Sequence, residues 1–315
     1  MVFYLVDTLL SSLRKRERRV KLPGLLLVSA IGTATHPLMD WTNNYGVRFL
    51  LPWNPRWFYG DFVFIVDPFI WIVLGGAAFL LTTKTRKRLI VWVIIALVPS
   101  YLVLVGPSGP RLLLNEIVLR LLWIGALIVL VSLHRRKIAG RAGAKIAMAA
   151  LATVAIYCAG LAAAHRVALR GAELQATTIA NRNAENVIRV AAMPTVADPT
   201  EWVCVMETER ATYKFNFSMI SSPPGSRNPP SSANILRYEK PMGSNAEPVA
   251  QAVRDSRSGV FLGFARFPVV QVVGEDCATQ TLVQFADLRY TEPGRSRGTF
   301  SLDVPVDCPA QTETK

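Results

Sequence analysis

The chain has 315 residues, 51% of them hydrophobic, a mean hydropathy of +0.30 and a formal net charge of +13. That length allows two domains, and that hydropathy is high for a wholly soluble protein. Residues 1–167 hold 20 Lys and Arg against 6 Asp and Glu, whereas the remainder holds 15 against 16. The positive excess is therefore confined to the apolar half, which points to membrane topology and away from nucleic-acid binding.

Residues 1–13 are apolar but too short to cross a bilayer, and the basic run Arg14 to Lys21 follows rather than precedes them. They do not have the order of a signal peptide. They are expected to be the tail of a longer helix, so that the sequence begins part-way through an architecture. Five apolar segments near spanning length come next: 22–40, 61–82, 89–106, 112–133 and 146–166. Basic clusters fall in every second gap, at Arg14 to Lys21, Lys84 to Arg88 and Arg135 to Lys145. The positive-inside rule places those gaps in the cytoplasm. Trp41 to Gly60, Gly106 to Arg111 and everything after the fifth span then lie on the other side of the membrane.

Residues 168–194 read as a connecting amphipathic helix, apolar at Leu169, Leu174, Ile179, Val187 and Ile188. Pro194 and Pro199 end it. Alternating or β-branched runs follow at Glu201 to Glu207, Thr212 to Met219, Val269 to Val273, Thr281 to Asp287 and Thr299 to Val304. Ser221 to Asn234 has loop composition, and Glu247 to Phe264 suits a helix covering one sheet face. The expected fold is an α-helical multi-pass membrane bundle of about five spans over residues 1–167, followed by a small β-rich α+β extracytoplasmic domain over 195–315. Of the four cysteines, Cys158 lies in the last span and Cys204, Cys277 and Cys308 in the exported part. No C-x-x-C pair occurs, so a cysteine zinc site is not expected. An oxidising compartment permits one disulfide among the last three; Cys277 to Cys308 is the preferred pair, although spacing does not fix connectivity.

Ionisable residues inside apolar segments are the candidates for chemistry, because a charge at the bilayer centre costs at least ~2.5 kcal/mol. His36 and Asp40 are spaced i, i+4, so one helix face could offer imidazole and carboxylate to a single metal ion. Pro37 disfavours a helical conformation at His36 and removes one amide donor, which predicts a bend. Asp61 opens the second segment and Asp67 stands before Pro68 within it, about 9 Å deeper if that segment is helical. By the deduced topology, Asp40 and Asp61 flank one external loop. Three carboxylates and a histidine suit a divalent ion, with Zn, Mn or Mg all compatible by ligand type. The structural alternative stands beside this: Asp40 and Asp61 as interfacial caps, Asp67 as the cap of a helix restarting at Pro68, and His36 bonded to a neighbouring span. The loop between holds Tyr45, Arg48, Trp53, Arg56, Trp57 and Tyr59. It reads as an aromatic belt with snorkelling arginines, or as a holder of a lipid headgroup. Glu116 and Arg120 are expected to pair within the fourth span, and His134 and His165 to be structural.

The stretch H-P-L-M-D-W-T-N-N-Y-G-V-R-F-L-L-P-W-N-P-R-W-F-Y-G-D-F-V-F-I-V-D-P-F resembles the YdjM/YbcI-like family of membrane-bound metal-dependent hydrolases. The residues carrying the resemblance are His36, Asp40, Tyr45, Gly46, Pro52, Trp53, Asp61, Asp67 and Pro68. The later A-M-P-T-V-A-D-P-T-E-W-V-C-V-M-E-T, F-A-R-F-P-V-V and A-D-L-R-Y also look like the family's C-terminal region. The family usually carries, upstream, an Asp-x-Asp-like and an Arg-Gly-x-Thr-His motif, neither of which occurs here; Met1 to Thr8 would correspond to the end of the helix after them. The resemblance implies a multi-pass inner-membrane protein whose ligand pattern is distantly similar to that of zinc-dependent phospholipases C. It makes a metal-dependent hydrolase of lipid or lipid-linked (phospho)esters the leading expectation. His36, Asp40 and Asp67 would be metal ligands, with Asp67 alternatively an orienting carboxylate. Asp61 would be general base, and Tyr45, Arg48 and Arg56 would contact substrate. The alternative is a non-catalytic membrane-anchored scaffold whose external β domain binds an envelope protein partner.

Overall fold

The computed structural model describes residues 21–106, 113–220, 235–273, 280–295 and 298–307. The expectations for residues 1–13, Arg14 to Arg19, the external turn after Gly106, the loop Ser221 to Asn234 and the Cys277–Cys308 pair lie outside the described residues. The chain divides into two compact units, Met1–Ile65 and Val66–Lys315.

In the first unit, helix α1 runs over Leu22–Thr42, with Pro23 in its first turn, a position that needs no amide donor. The helix passes unbroken through Pro37, so the expectation of a non-helical His36 does not hold. A single missing amide is tolerated within a long apolar helix. Asn43 ends it: its N–H donates to Asp40 C=O at 3.4 Å and its Oδ1 accepts from the Tyr45 N–H at 2.7 Å, forming a tight turn.

The second unit begins with α2, Pro68–Thr82, then α3, Arg86–Val105; α4, Leu113–Arg135; and α5, Ile138–Arg182. Among the described residues, α1, α3, the 20-residue segment Glu116–Arg135 of α4, and α5 are long and apolar enough to cross a membrane, whereas α2 is a shorter apolar helix of 15 residues. The segment read as a second span from residue 61 therefore starts seven residues later. Asp67 caps it and Pro68 sits at its first position, so residues 61–67 are not helical. The 9 Å depth difference reckoned for Asp61 and Asp67 assumed a helix that is absent there.

Helix α5 has 45 residues, broken only by a non-helical Gly143. At ~1.5 Å per residue this is about twice the ~30 Å hydrocarbon thickness, so its second half must project beyond a bilayer. The projecting half carries Ala168, Ala172, Ala176 and Ala180 at i, i+4 spacing, all buried against Trp202, Tyr213, Phe215 and Phe217. Gly171 meets the Phe217 ring so closely that a Cβ would lie 2.3 Å from it. Small side chains on the helix thus make room for large aromatics on the sheet.

That sheet is an antiparallel meander in the order β1-β2-β3-β4: Val187–Thr195, Asp198–Thr208, Ala211–Ser218 and Leu236–Glu239. The connecting helix expected over 168–194 is thus corrected: it is continuous with the last span and ends at Arg182, and Val187–Thr195 is a strand. Val187 and Ile188 happened to match a 3.6-residue period, but a β-branched Val-Ile-Arg-Val run pairs with β2 instead. After a 3-10 turn at Gly243–Asn245 come helices α6, Ala246–Val253, and α7, Ser256–Phe264. The single helix expected there is broken because Asp255 caps a new start through the Arg257 N–H at 2.8 Å. A second meander, β5-β6-β7, comprises Pro268–Val273, Gln280–Asp287 and Ser301–Asp307. One face packs through Val269, Ala286 and Leu288 on the side of the first sheet turned away from α5; the other is covered by Val249, Ala252 and Phe261 of α6 and α7.

Candidate metal centre

His36 and Asp40 lie on one face of α1, with Nε2 and Oδ2 3.5 Å apart. Two donors bonded to one tetrahedral zinc at ~2.0–2.1 Å sit roughly 3.3 Å from each other, close to the separation of this pair. Both are open to a ligand, the side chains being 79% and 40% exposed.

Asp61 is brought to the end of the same helix. Phe62 and Val63 both donate their N–H to the Thr42 C=O at 3.0 Å, folding the segment back onto the last turn of α1. Gly60 is required there, because a Cβ would lie 2.5 Å from the Trp41 carbonyl oxygen. Asp61 itself is buried and adopts φ +57, the left-handed region that few side chains enter. Among the described residues no group of three His, Cys, Asp or Glu forms a ready-made metal cage. His36 and Asp40 are two candidate donors on one helix face, and the fold-back brings the segment carrying Asp61 to the end of that helix.

The loop between these residues is a small hairpin closed by the antiparallel bridge Val47↔Phe58. Gly46, at φ +84, lets the Tyr59 ring pack over the turn. Arg48 lies over the Trp57 ring at 4.3 Å and Arg56 over Phe58 at 5.5 Å, while Trp57 stacks on Tyr59 at 6.2 Å. Arg56 is exposed, whereas Arg48 is half-buried with its Nε shielded from solvent. Tyr45 is exposed beside them, and Phe49, Leu50, Leu51 and Trp53 form an apolar tip. The arginine-aromatic belt read from the sequence is thus an ordered element with a polar base and an apolar end.

Asp67 belongs to the second unit, and its carboxylate is engaged there. Oδ1 accepts from the Phe69 and Ile70 N–H groups at 2.9 and 3.1 Å, and Oδ2 accepts from the Tyr157 hydroxyl at 2.9 Å. This is the helix-cap alternative considered for it; a ligand role for Asp67 rests on the sequence alone. Tyr157 had no sequence signal, being 90 residues away in an apolar span. Of the other polar residues, Glu116 and Arg120 pair at 3.6 Å, and His165 and His134 pack on Trp202 and Phe79.

Two of the later stretches quoted for the resemblance prove to be one buried network. The Asp287 carboxylate of A-D-L-R-Y accepts from the Arg266 and Phe267 N–H groups of F-A-R-F and forms a fully buried ion pair with Arg289 at 2.7 Å. Arg289 also donates to the Phe264 C=O. The third stretch is the β1–β2 hairpin, where Asp198 accepts from the Thr200 N–H at 2.9 Å.

Apolar helices of spanning length followed by two packed antiparallel sheets define a multi-pass membrane protein with a folded domain carried on its last helix. Within that class, residues 1–109 match the model of the YdjM inner membrane protein family, to which this part of the chain is similar. The match includes His36, Asp40, Asp61 and Asp67 and does not reach the C-terminal β domain, where the resemblance rests on the quoted motifs. Neither the curated proteins nor the solved structures compared with the chain include a match.

Proposed function

We propose that the protein is a membrane-bound, metal-dependent hydrolase of lipid or lipid-linked esters, phosphoesters among them, working at the extracytoplasmic face of a bacterial inner membrane. What carries the reading is the His36–Asp40 pair, held at the donor spacing of a shared zinc, with Asp61 folded onto the end of the same helix. When bound, the ion would supply Lewis acidity and lower the pKa of a water. His36 and Asp40 hold it. Asp61 would take the proton of the attacking water as the ester bond breaks. Arg48 and Arg56 contact the anionic headgroup through their guanidinium groups, and Tyr45 through its hydroxyl. The apolar hairpin tip keeps the loop seated among acyl chains.

The test is release of a water-soluble headgroup from labelled phosphatidylglycerol and phosphatidylethanolamine by the full chain in nanodiscs supplied with Zn, Mn or Mg. Asp61→Asn is expected to slow release by about 10²-fold or more, the range for loss of a general base. No release from either lipid with any of the ions, or release indifferent to Asp61→Asn, contradicts the proposal.

A further inference from the structure

The two sheets present their outermost strands to a common cavity of about 400 Å³, within the ~300–1,000 Å³ range of ligand pockets. Arg237 and Glu239 of β4 line it on one side and Val270 and Val272 of β5 on the other, with Met242 and Val249 completing the apolar part.

Strand register fixes which backbone groups face it. In an antiparallel ladder, successive residues turn their N–H and C=O alternately toward and away from the partner strand. The Leu288 N–H donates to the Phe267 C=O, and the pairing continues through Val269↔Ala286 and Gln271↔Gln284. Val270 and Val272 therefore turn theirs outward. By the same reasoning, the Lys240 N–H donates to the Arg210 C=O and Tyr238 pairs with Thr212, so Arg237 and Glu239 face outward on β4. Among the described residues, no backbone bond outside the ladders engages these four.

We propose that this cleft binds an extended peptide, which joins β5 as a fourth strand of its sheet. The outward amides of Val270 and Val272 are two residues apart, about 6.6 Å, which is the repeat of a strand and of no lipid tail or small anion. The charged side chains on the opposite wall are already compensated: Arg237 pairs with Glu185 and Glu239, and Lys240 with Glu207. The ligand is therefore near-neutral, with apolar side chains at alternate positions to meet Val249, Val270 and Val272. This site is independent of the hydrolase reading, and either can fail alone.

The experiment uses the full chain in nanodiscs and a displayed library of random nine-residue peptides, with recovered sequences measured by fluorescence anisotropy. Recovered peptides are expected to alternate apolar and polar residues. Val272→Pro, which removes only an outward N–H, is expected to weaken them about tenfold, as is N-methylation of alternate peptide amides, the cost of one or two unmade backbone bonds. The methylated peptide tests the point on the unaltered protein should Val272→Pro disturb folding. Recovery of no peptide, equal binding by the methylated peptide, or dimerisation of the chain through this edge would overturn the proposal.

Discussion

Asp67 shows how one carboxylate can hold an apolar helix in place. It satisfies two of the amides at the start of α2 and bonds Tyr157 on α5, so Asp67→Ala is expected to cost about 0.5–2 kcal/mol for the cap, with Asp67→Asn closer to wild type. Thermal unfolding in detergent reads the difference. Glu185, buried after α5, accepts from Thr208 at 2.5 Å, Tyr213 at 3.0 Å and Arg237 at 3.0 Å. Burial acts to raise its pKa, but those hydrogen bonds and the Arg237 charge outweigh it and hold the carboxyl below its ordinary value. A depressed carboxyl stabilises fully above the unfolded pKa, about 4.3, and the contribution is lost as pH falls through the lower folded value. The C-terminal β domain should therefore lose stability on acidification below about pH 4.3, and Glu185→Gln should flatten that dependence; denaturation followed across pH 3 to 6 checks it. Much of this scale was legible in the sequence. The i, i+4 spacing placed His36 and Asp40 on one face, and Asp before Pro announced the cap. Tyr157 and the left-handed Asp61 were not, because a long-range hydroxyl contact and a backbone angle set by packing leave no local pattern.

Elements followed hydropathy where the pattern was long and failed where two periods overlapped. Among the described residues, four helices of spanning length and five of the seven strands fell where apolar runs and alternation put them. The strand β1 was read as helix because its Val187 and Ile188 extended the apolar stripe of α5, and β4, only four residues long, gave too short a run to detect. The decisive feature of α5 is its narrow face. Gly171→Val places a branched side chain where the Phe217 ring already sits, and overpacking of this kind costs about 1–3 kcal/mol. A Phe217→Leu change in the same chain should recover part of the loss, measured as the midpoint of unfolding of the C-terminal β domain.

At the scale of the whole molecule, charge asymmetry and hydropathy separated a membrane half from a neutral β half, and the helices and sheets bear that out. The side of the membrane is argued from charge alone: a reporter fused after Lys315 should be active in the periplasm, and cytoplasmic activity would reverse the assignment. Layering was beyond the sequence, since each sheet carries apolar residues on both faces and alternation does not say which layer each face meets. The account turns on the ion proposed for His36 and Asp40, and elemental analysis of the full chain purified without added chelator tests it most directly. One zinc or other divalent ion per chain, lost in both His36→Ala and Asp40→Ala variants that keep the wild-type unfolding profile, is the expected result. A metal-free wild type, or an ion retained by both variants, would contradict it.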